Sequence, residues 1–435
     1  MHLNRTDTPY HLLRQSGPFA TGENPPPTMP FSAAGREWCR ALGEANGATT
    51  FRVVRNQILE LLDIRSLAEL PPLLVDRDRR EQTTRRAYRL LANMFGITGN
   101  ERETVARINR FSSTADDVIR SLQGKVLANY ASHIEMTNEI DASRCPLELL
   151  LIIFDNRYHR KARFEAQRKL VLMQLAAAID QRERETDMES KFSRFLAFMN
   201  EHVWSPDIKI GELETAFLLS EHAPEDFSCQ SVRVIDRKEA RQFQWEPGRK
   251  LTLVKRRRFR PNGHEIPIYV TIRKKTAAAK VLKLLRKGEE NPAVAVDDEL
   301  GLMGVVDSMQ EVKLFHQHLS KSAARAGTLL TLEEVNDNLD GIGHRSGNIG
   351  SSTQTPMCKF FARMGGMRVE FILHTNKSYL DYRYRRDVAH DEYEAKRIFD
   401  SGVAELLFPP SIYHLDLPDK RREVLRQMRR NIEEF

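Results

Sequence analysis

Residues Ile272–Val306 read IRKKTAAAKVLKLLRKGEENPAVAVDDELGLMGVV, and this stretch decides how the rest of the chain is divided. It passes from the end of a strand through a basic helix and a short loop to an acidic pair and a second strand. Within Thr276–Lys287, Ala278, Val281, Leu282 and Leu285 recur at i, i+3, i+4 and i+7, which predicts one buried helical face. Lys280, Lys283 and Lys287 recur with the same period on the opposite side, outside the core. Asp297-Asp298 falls where the next strand begins. Cations on a helix facing carboxylates at a strand end suit a polyphosphate and its Mg²⁺. A solvated helix followed by an acidic turn would carry the same letters.

Outward from this stretch the patterns are those of a sheet. Upstream, Ser231–Ile235 and Lys250–Phe259 read as strands, and Glu265–Arg273 alternates, with Ile266, Ile268, Val270 and Ile272 on one face. Pro261-Asn262-Gly263 between the last two suits the positive φ values of a tight hairpin. Downstream, Ser308–Leu319 is a helix with Val312, Phe315 and Leu319 inward, and the Gly/Ser/Asn-rich run Asp340–Thr355 is a loop. In the strand Met367–Thr375, Glu370 shares a face with Arg368 and His374. Should that face meet Asp298, two carboxylates flank a cation site; an ordinary half-exposed strand is the alternative. Two helices, Asp387–Leu407 and Lys420–Ile432, close the chain on either side of Pro409-Pro410. The order of elements predicts an α+β domain with a mixed sheet.

Four regions follow: a flexible leader over 1–35, broken by Pro25-Pro26-Pro27 and Pro30, a helical domain over 36–222, the α+β domain over 223–408, and a basic helix over 409–435. Helical periodicity marks Phe51–Leu62, Arg77–Phe95, Ala115–Ile134, Pro146–Ile153, Arg160–Gln181 and Met188–Val203. Val171, Leu172, Leu175 and Ile179 form a narrow apolar stripe on the fifth of these.

Composition excludes several classes. With 435 residues, 41% hydrophobic content and a mean hydropathy of −0.50, the chain reads as globular, with no apolar run near the roughly 18 residues of a membrane helix. The first residues lack the layout of a secretory signal. Cys39, Cys145, Cys229 and Cys358 are widely spaced, which argues against a disulfide framework or structural zinc and for a cytoplasmic protein with reduced thiols. A net charge of +7 implies polyanionic partners, nucleotides or tRNA and other RNA, through the clusters Lys255–Arg260, Arg273–Lys287 and Lys420–Arg430. Residues Gly347–Ser352 are not a Walker loop, because no Lys precedes the Ser. The oligomeric state is not legible.

From about 250 to 400 the motif order resembles the synthetase domain of RelA/SpoT-type alarmone synthetases, a branch of the nucleotidyltransferase fold. Arg273, Lys275 and Lys283 match its strand-end and helix cations, and Asp298-Glu299-Leu300-Gly301 matches the first half of its acidic motif. Gly343-His344-Arg345-Ser346 stands for its Gly-Tyr-Arg-Ser, and Val369-Glu370 opens its last strand motif. The resemblance implies that Arg273, Lys275 and Lys283 bind ATP phosphates, with His344 and Arg345 on the acceptor side. It implies Mg²⁺ on Asp298 and Glu370, and pyrophosphate transfer to the 3′-hydroxyl of a guanine nucleotide or an RNA, assisted by Glu370. The sequence departs from the pattern at Ala279, Met303, His344, Ile372 and His374. These departures favour an alternative on the same fold, a regulatory protein that binds nucleotide or RNA without catalysis. The histidine–aspartate metal site of the family's hydrolase arm has no counterpart in the helical region.

Overall fold

The computed structural model describes residues 75–434 apart from 144, 155–156, 206–212, 290, 297–299, 340–343, 346–355 and 365–366, together with 60, 63–66, 69 and 72. The expected leader and the expected helix Phe51–Leu62 therefore lie outside the described residues or nearly so, as do Asp298 and the Asp340–Thr355 loop apart from His344 and Arg345.

The chain is mixed α+β. Its strands are β1 (Glu214–His222), β2 (Cys229–Ile235), β3 (Arg249–Phe259), β4 (Ile266–Lys274), β5 (Leu300–Val306), β6 (Leu330–Asp337), β7 (His344–Arg345), β8 (Cys358–Met364) and β9 (Met367–Thr375). They form one mixed sheet in the order β2-β1-β3-β4-β5-β9-β8-β6-β7. Among these pairings only β5 with β9 is parallel. The helices used below are α1 (Arg77–Met94), α2 (Glu101–Ser121), α3 (Pro146–Phe154), α4 (Arg160–Glu185), α5 (Met188–Phe198), α6 (Ala277–Lys287), α7 (Met309–Arg325), α8 (Asn376–Tyr384), α9 (His390–Asp400) and α10 (Leu417–Glu434).

Two compact units divide the chain differently from its linear order. The sheet unit takes Glu183–Lys275, Val296–Lys396 and Leu425–Phe435; the helical unit takes the chain up to Arg182 with Thr276–Ala295 and Arg397–Val424. Thus β1 begins inside the region expected to be helical, and α6 belongs with helices far from it in sequence. The run Ala216-Phe217-Leu218-Leu219 is too short for periodicity to distinguish strand from helix; pairing with β2 and β3 makes it a strand.

In the sheet unit the β3–β4 hairpin turns at Pro261-Asn262-Gly263, with φ of +51° at Asn262 and +88° at Gly263, as the Asn-Gly pair requires. One sheet face carries Ala216, Leu218, Val254, Tyr269 and Val305, which pack around Leu380 of α8. The other face meets α5 and α7: Phe195 stands edge-on to Phe371 at 6.3 Å, and Phe315 edge-on to Phe259 at 5.1 Å. β9, between β5 and β8, is buried on both sides instead of half exposed.

In the helical unit α1 packs on α2 and α3, and α2 packs on α6. The inward residues of α6 are Val281, Leu284 and Leu285 together with Lys280, which is only 2% exposed. Lys280 was expected outside the core; the buried face is rotated so that Leu284 replaces Leu282 at its centre. Thr276 caps this helix by accepting from the Ala279 amide. On α4 the expected stripe is buried, but so are Ala162, Phe164 and Ala166, and with them Glu165, Arg168 and Lys169. Arg168 donates to the Leu407 carbonyl at 2.5 Å and to the Tyr413 hydroxyl at 2.7 Å. Tyr413 in turn donates to Glu165 at 2.9 Å, so the buried charges are hydrogen-bonded.

Candidate functional site

Register aligns three strands at one level of the sheet. Arg273 of β4 is paired with Gly301 of β5, and Gly301 with Glu370 of β9. Side chains at paired positions share a face, so Arg273 and Glu370 flank a position without a side chain. Arg273 Nη2 crosses it and donates to Glu370 Oε2 at 2.8 Å. A Cβ on Gly301 would stand 3.1 Å from Arg273 Nε and 3.4 Å from its Cγ. The glycine is what lets the guanidinium lie across β5.

The other oxygen of Glu370 meets Lys359 Nζ of β8, also at 2.8 Å. Glu370 and Lys359 are 7% and 8% exposed at their side chains, whereas Arg273 remains 39% exposed. Two cations thus face one buried carboxylate, and the exposed member is a guanidinium. Beside them, Arg368 lies over the Phe361 ring at 3.6 Å and pairs with Glu333 at 3.1 Å and Glu334 at 2.8 Å. Arg363 also meets Glu333, at 2.9 Å, which holds that carboxyl below its ordinary range.

Of the residues singled out in the sequence, Arg273 and Glu370 are brought together. Lys275 follows the end of β4 and is partly buried. Lys283 lies on α6, in the helical unit. His344 and Arg345 form β7, paired with Asp337 and Asn336 of β6, and their side chains lie outside what is described. Asp298 lies outside the described residues; β5, which begins at Leu300, is the parallel neighbour of β9.

Of the two carboxylates that the resemblance implies for Mg²⁺, Asp298 lies outside the described residues and Glu370 lies within them. Both oxygens of Glu370 are engaged by cations, and among the described residues no three His, Cys, Asp or Glu side chains stand together as metal donors. Glu370 here holds Arg273 and Lys359 in place. Lys359 was missed in the sequence; its signal is a single cation inside the otherwise apolar Met357–Phe361 run.

His374, four residues beyond Glu370, is fully buried. Its Nδ1 lies 3.1 Å from the Pro356 carbonyl and 3.2 Å from Ser378 Oγ, and its ring packs on Tyr382 at 5.2 Å. Burial pushes its pKa down to about 4, so the ring is a neutral part of the core. Burial likewise raises the Tyr382 hydroxyl, an effect that the nearby charge of Arg273 opposes.

Several cations of the clusters expected to attract RNA are paired with carboxylates. Arg256 pairs with Glu214, Arg258 with Glu214 at 3.4 Å and Glu265 at 3.5 Å, and Arg260 with Glu265 at 2.9 Å. Arg257 donates to Asn200 at 3.3 Å and lies over Trp204. In the tail, Arg421 meets Asp400 and Arg429 meets Glu392, each at 2.5 Å. No helix among the described residues is long and apolar enough to cross a membrane. No family model, curated protein or solved structure matches this chain.

Proposed function

We propose that the sheet unit binds the phosphate chain of a nucleotide, ATP in the first instance, on the face that carries Arg273, Glu370 and Lys359. The observation behind this reading is the partly exposed guanidinium of Arg273, held across Gly301 by a buried carboxylate that Lys359 also neutralises. A guanidinium oriented in this way presents a positive charge to a phosphate with little conformational freedom left to lose. Calorimetry with ATP tests it: wild-type protein should bind and Arg273→Met should bind at least roughly tenfold more weakly, the range for a charge-assisted contact. Equal affinity in the two proteins would overturn it.

A second reading is pyrophosphate transfer from ATP to a 3′-hydroxyl of a guanine nucleotide or an RNA, on a nucleotidyltransferase-like sheet. The parallel β5–β9 pair favours it, because Glu370 is level with Gly301 and Asp298 stands three positions earlier in the chain. Incubation with γ-³²P-ATP, Mg²⁺ and either GDP/GTP or tRNA, followed by separation of products, decides between the readings. Label on one acceptor, lost in Asp298→Ala and Glu370→Ala, would establish transfer and its acceptor. ATP binding without labelled product would leave the binding protein.

A further inference from the structure

Two positions along the sheet from the level of Arg273, Gly301 and Glu370, register aligns Thr271 of β4, Met303 of β5 and Ile372 of β9. Alternation puts these side chains on the face that carries Arg273 and Glu370, about 7 Å further along the strands. Ile372 is buried there with Met357 and Tyr382, and Met303 and Tyr379, each only partly buried, pack against that cluster. Thr271 is exposed. The sheet face next to the Arg273 guanidinium is therefore open, and its surface is a thioether and a small hydroxyl side chain.

α8 follows β9 directly and packs on this same face through Leu380. Tyr379 and Tyr382 are three residues apart, so they share one side of the helix. Their rings are 22° from parallel with centres 6.5 Å apart, and Tyr382 in turn lies over His390 of α9 at 5.0 Å and 27°. Tyr382 is the buried middle of this row, and Tyr379 is a partly exposed end of it. A cation for phosphates and a π-face for a flat ring thus stand on one open surface, with one step of the sheet between their levels.

We propose that this surface takes a nucleoside polyphosphate whose base stacks on Tyr379, beside Met303, while Arg273 holds the phosphates; the inference rests on the phosphate reading given above. A site for inorganic polyphosphate would need cations alone. A partly exposed ring in line with two others adds a stacking surface that every nucleobase can use, and a methionine sulfur is a favourable neighbour for an aromatic ring. The ribose spans the step between the two levels.

The test compares ATP with inorganic tripolyphosphate by calorimetry on the full-length protein at constant ionic strength. Tripolyphosphate carries at least as much negative charge as ATP but has no base. Wild-type protein should bind ATP roughly tenfold more tightly than tripolyphosphate, the range for one stacked base. Tyr379→Leu keeps an apolar side chain against the cluster; it should remove that preference while leaving tripolyphosphate affinity unchanged, which also reports an intact sheet face. Tyr379→Phe should restore the preference. Equal affinity for the two ligands in the wild type would overturn the proposal, as would a preference for ATP that survives Tyr379→Leu. Failure of the phosphate reading shows separately, as tripolyphosphate binding that is absent or indifferent to Arg273→Met, and it would overturn this inference with it.

Discussion

Arg273 and Glu370, 97 positions apart in sequence, meet at 2.8 Å because the strand between them carries a glycine at their level. Gly301→Val places a branched side chain where the guanidinium now lies. The expected outcome is a displaced Arg273, a loss of about 1–3 kcal/mol from overpacking, and weaker ATP binding. Urea unfolding together with ATP calorimetry checks both parts. Wild-type stability and affinity in this variant would show that the crossing has no consequence.

Lys359 and Glu370 are coupled because both are nearly buried. Glu370→Gln leaves the Lys359 ammonium without its carboxylate and is expected to cost about 3 kcal/mol; Arg273, being partly exposed, tolerates the loss more easily. Lys359→Met in the Glu370→Gln background should restore part of the loss, with a coupling of about 1–3 kcal/mol in the double-mutant cycle. Additive losses to within about 0.5 kcal/mol would sink the idea of a coupled pair.

Acid should destabilise the protein through its buried histidines. His374 is held at about 4, and burial also lowers His222, His316 and His318. Above about 4 the His374 imidazole is neutral when folded, whereas in the unfolded chain it takes a proton below about 6.5. Stability is therefore complete above that value and falls as pH drops towards 4, by about 1.4 kcal/mol per pH unit for each fully neutral ring. Asp381 acts in the opposite sense, since burial raises its pKa. Urea midpoints measured at about pH 7 and pH 5 should differ less in His374→Phe than in wild type. An identical difference in the two proteins would remove His374 from the account.

In the helical unit, Arg168 is 1% exposed and lies over the rings of Phe164 and Phe408 at 5.6 and 5.1 Å. Arg168→Leu keeps an apolar stem but strips the Leu407 carbonyl and Tyr413 of a donor and leaves the Glu165 carboxylate without its nearby cation. A loss of about 3–5 kcal/mol is expected. Arg168→Lys should recover only part, because the shorter, tetrahedral ammonium loses the planar guanidinium that lies over the rings of Phe164, Phe408 and Tyr413. Denaturant unfolding of both variants settles it, and near-wild-type stability of either would show the network to be dispensable.

Local elements are legible from side-chain spacing wherever a period is long or a turn chemically explicit. The α4 pattern, the alternation of β4, the Asn262-Gly263 turn and the limits of Met367–Thr375 all follow from side-chain spacing and backbone preference, which act over a few residues. Short apolar runs such as those in β1 and β8 carried no such signal. Which of these elements meet is set by long-range packing. Lys280 is buried because α6 packs on α2, Lys359 is paired because β8 lies beside β9, and Arg273 reaches Glu370 because β5 presents Gly301 between them. Register and helix packing are relations between distant segments, fixed by the burial of whole faces at once, and no local pattern of residues records them.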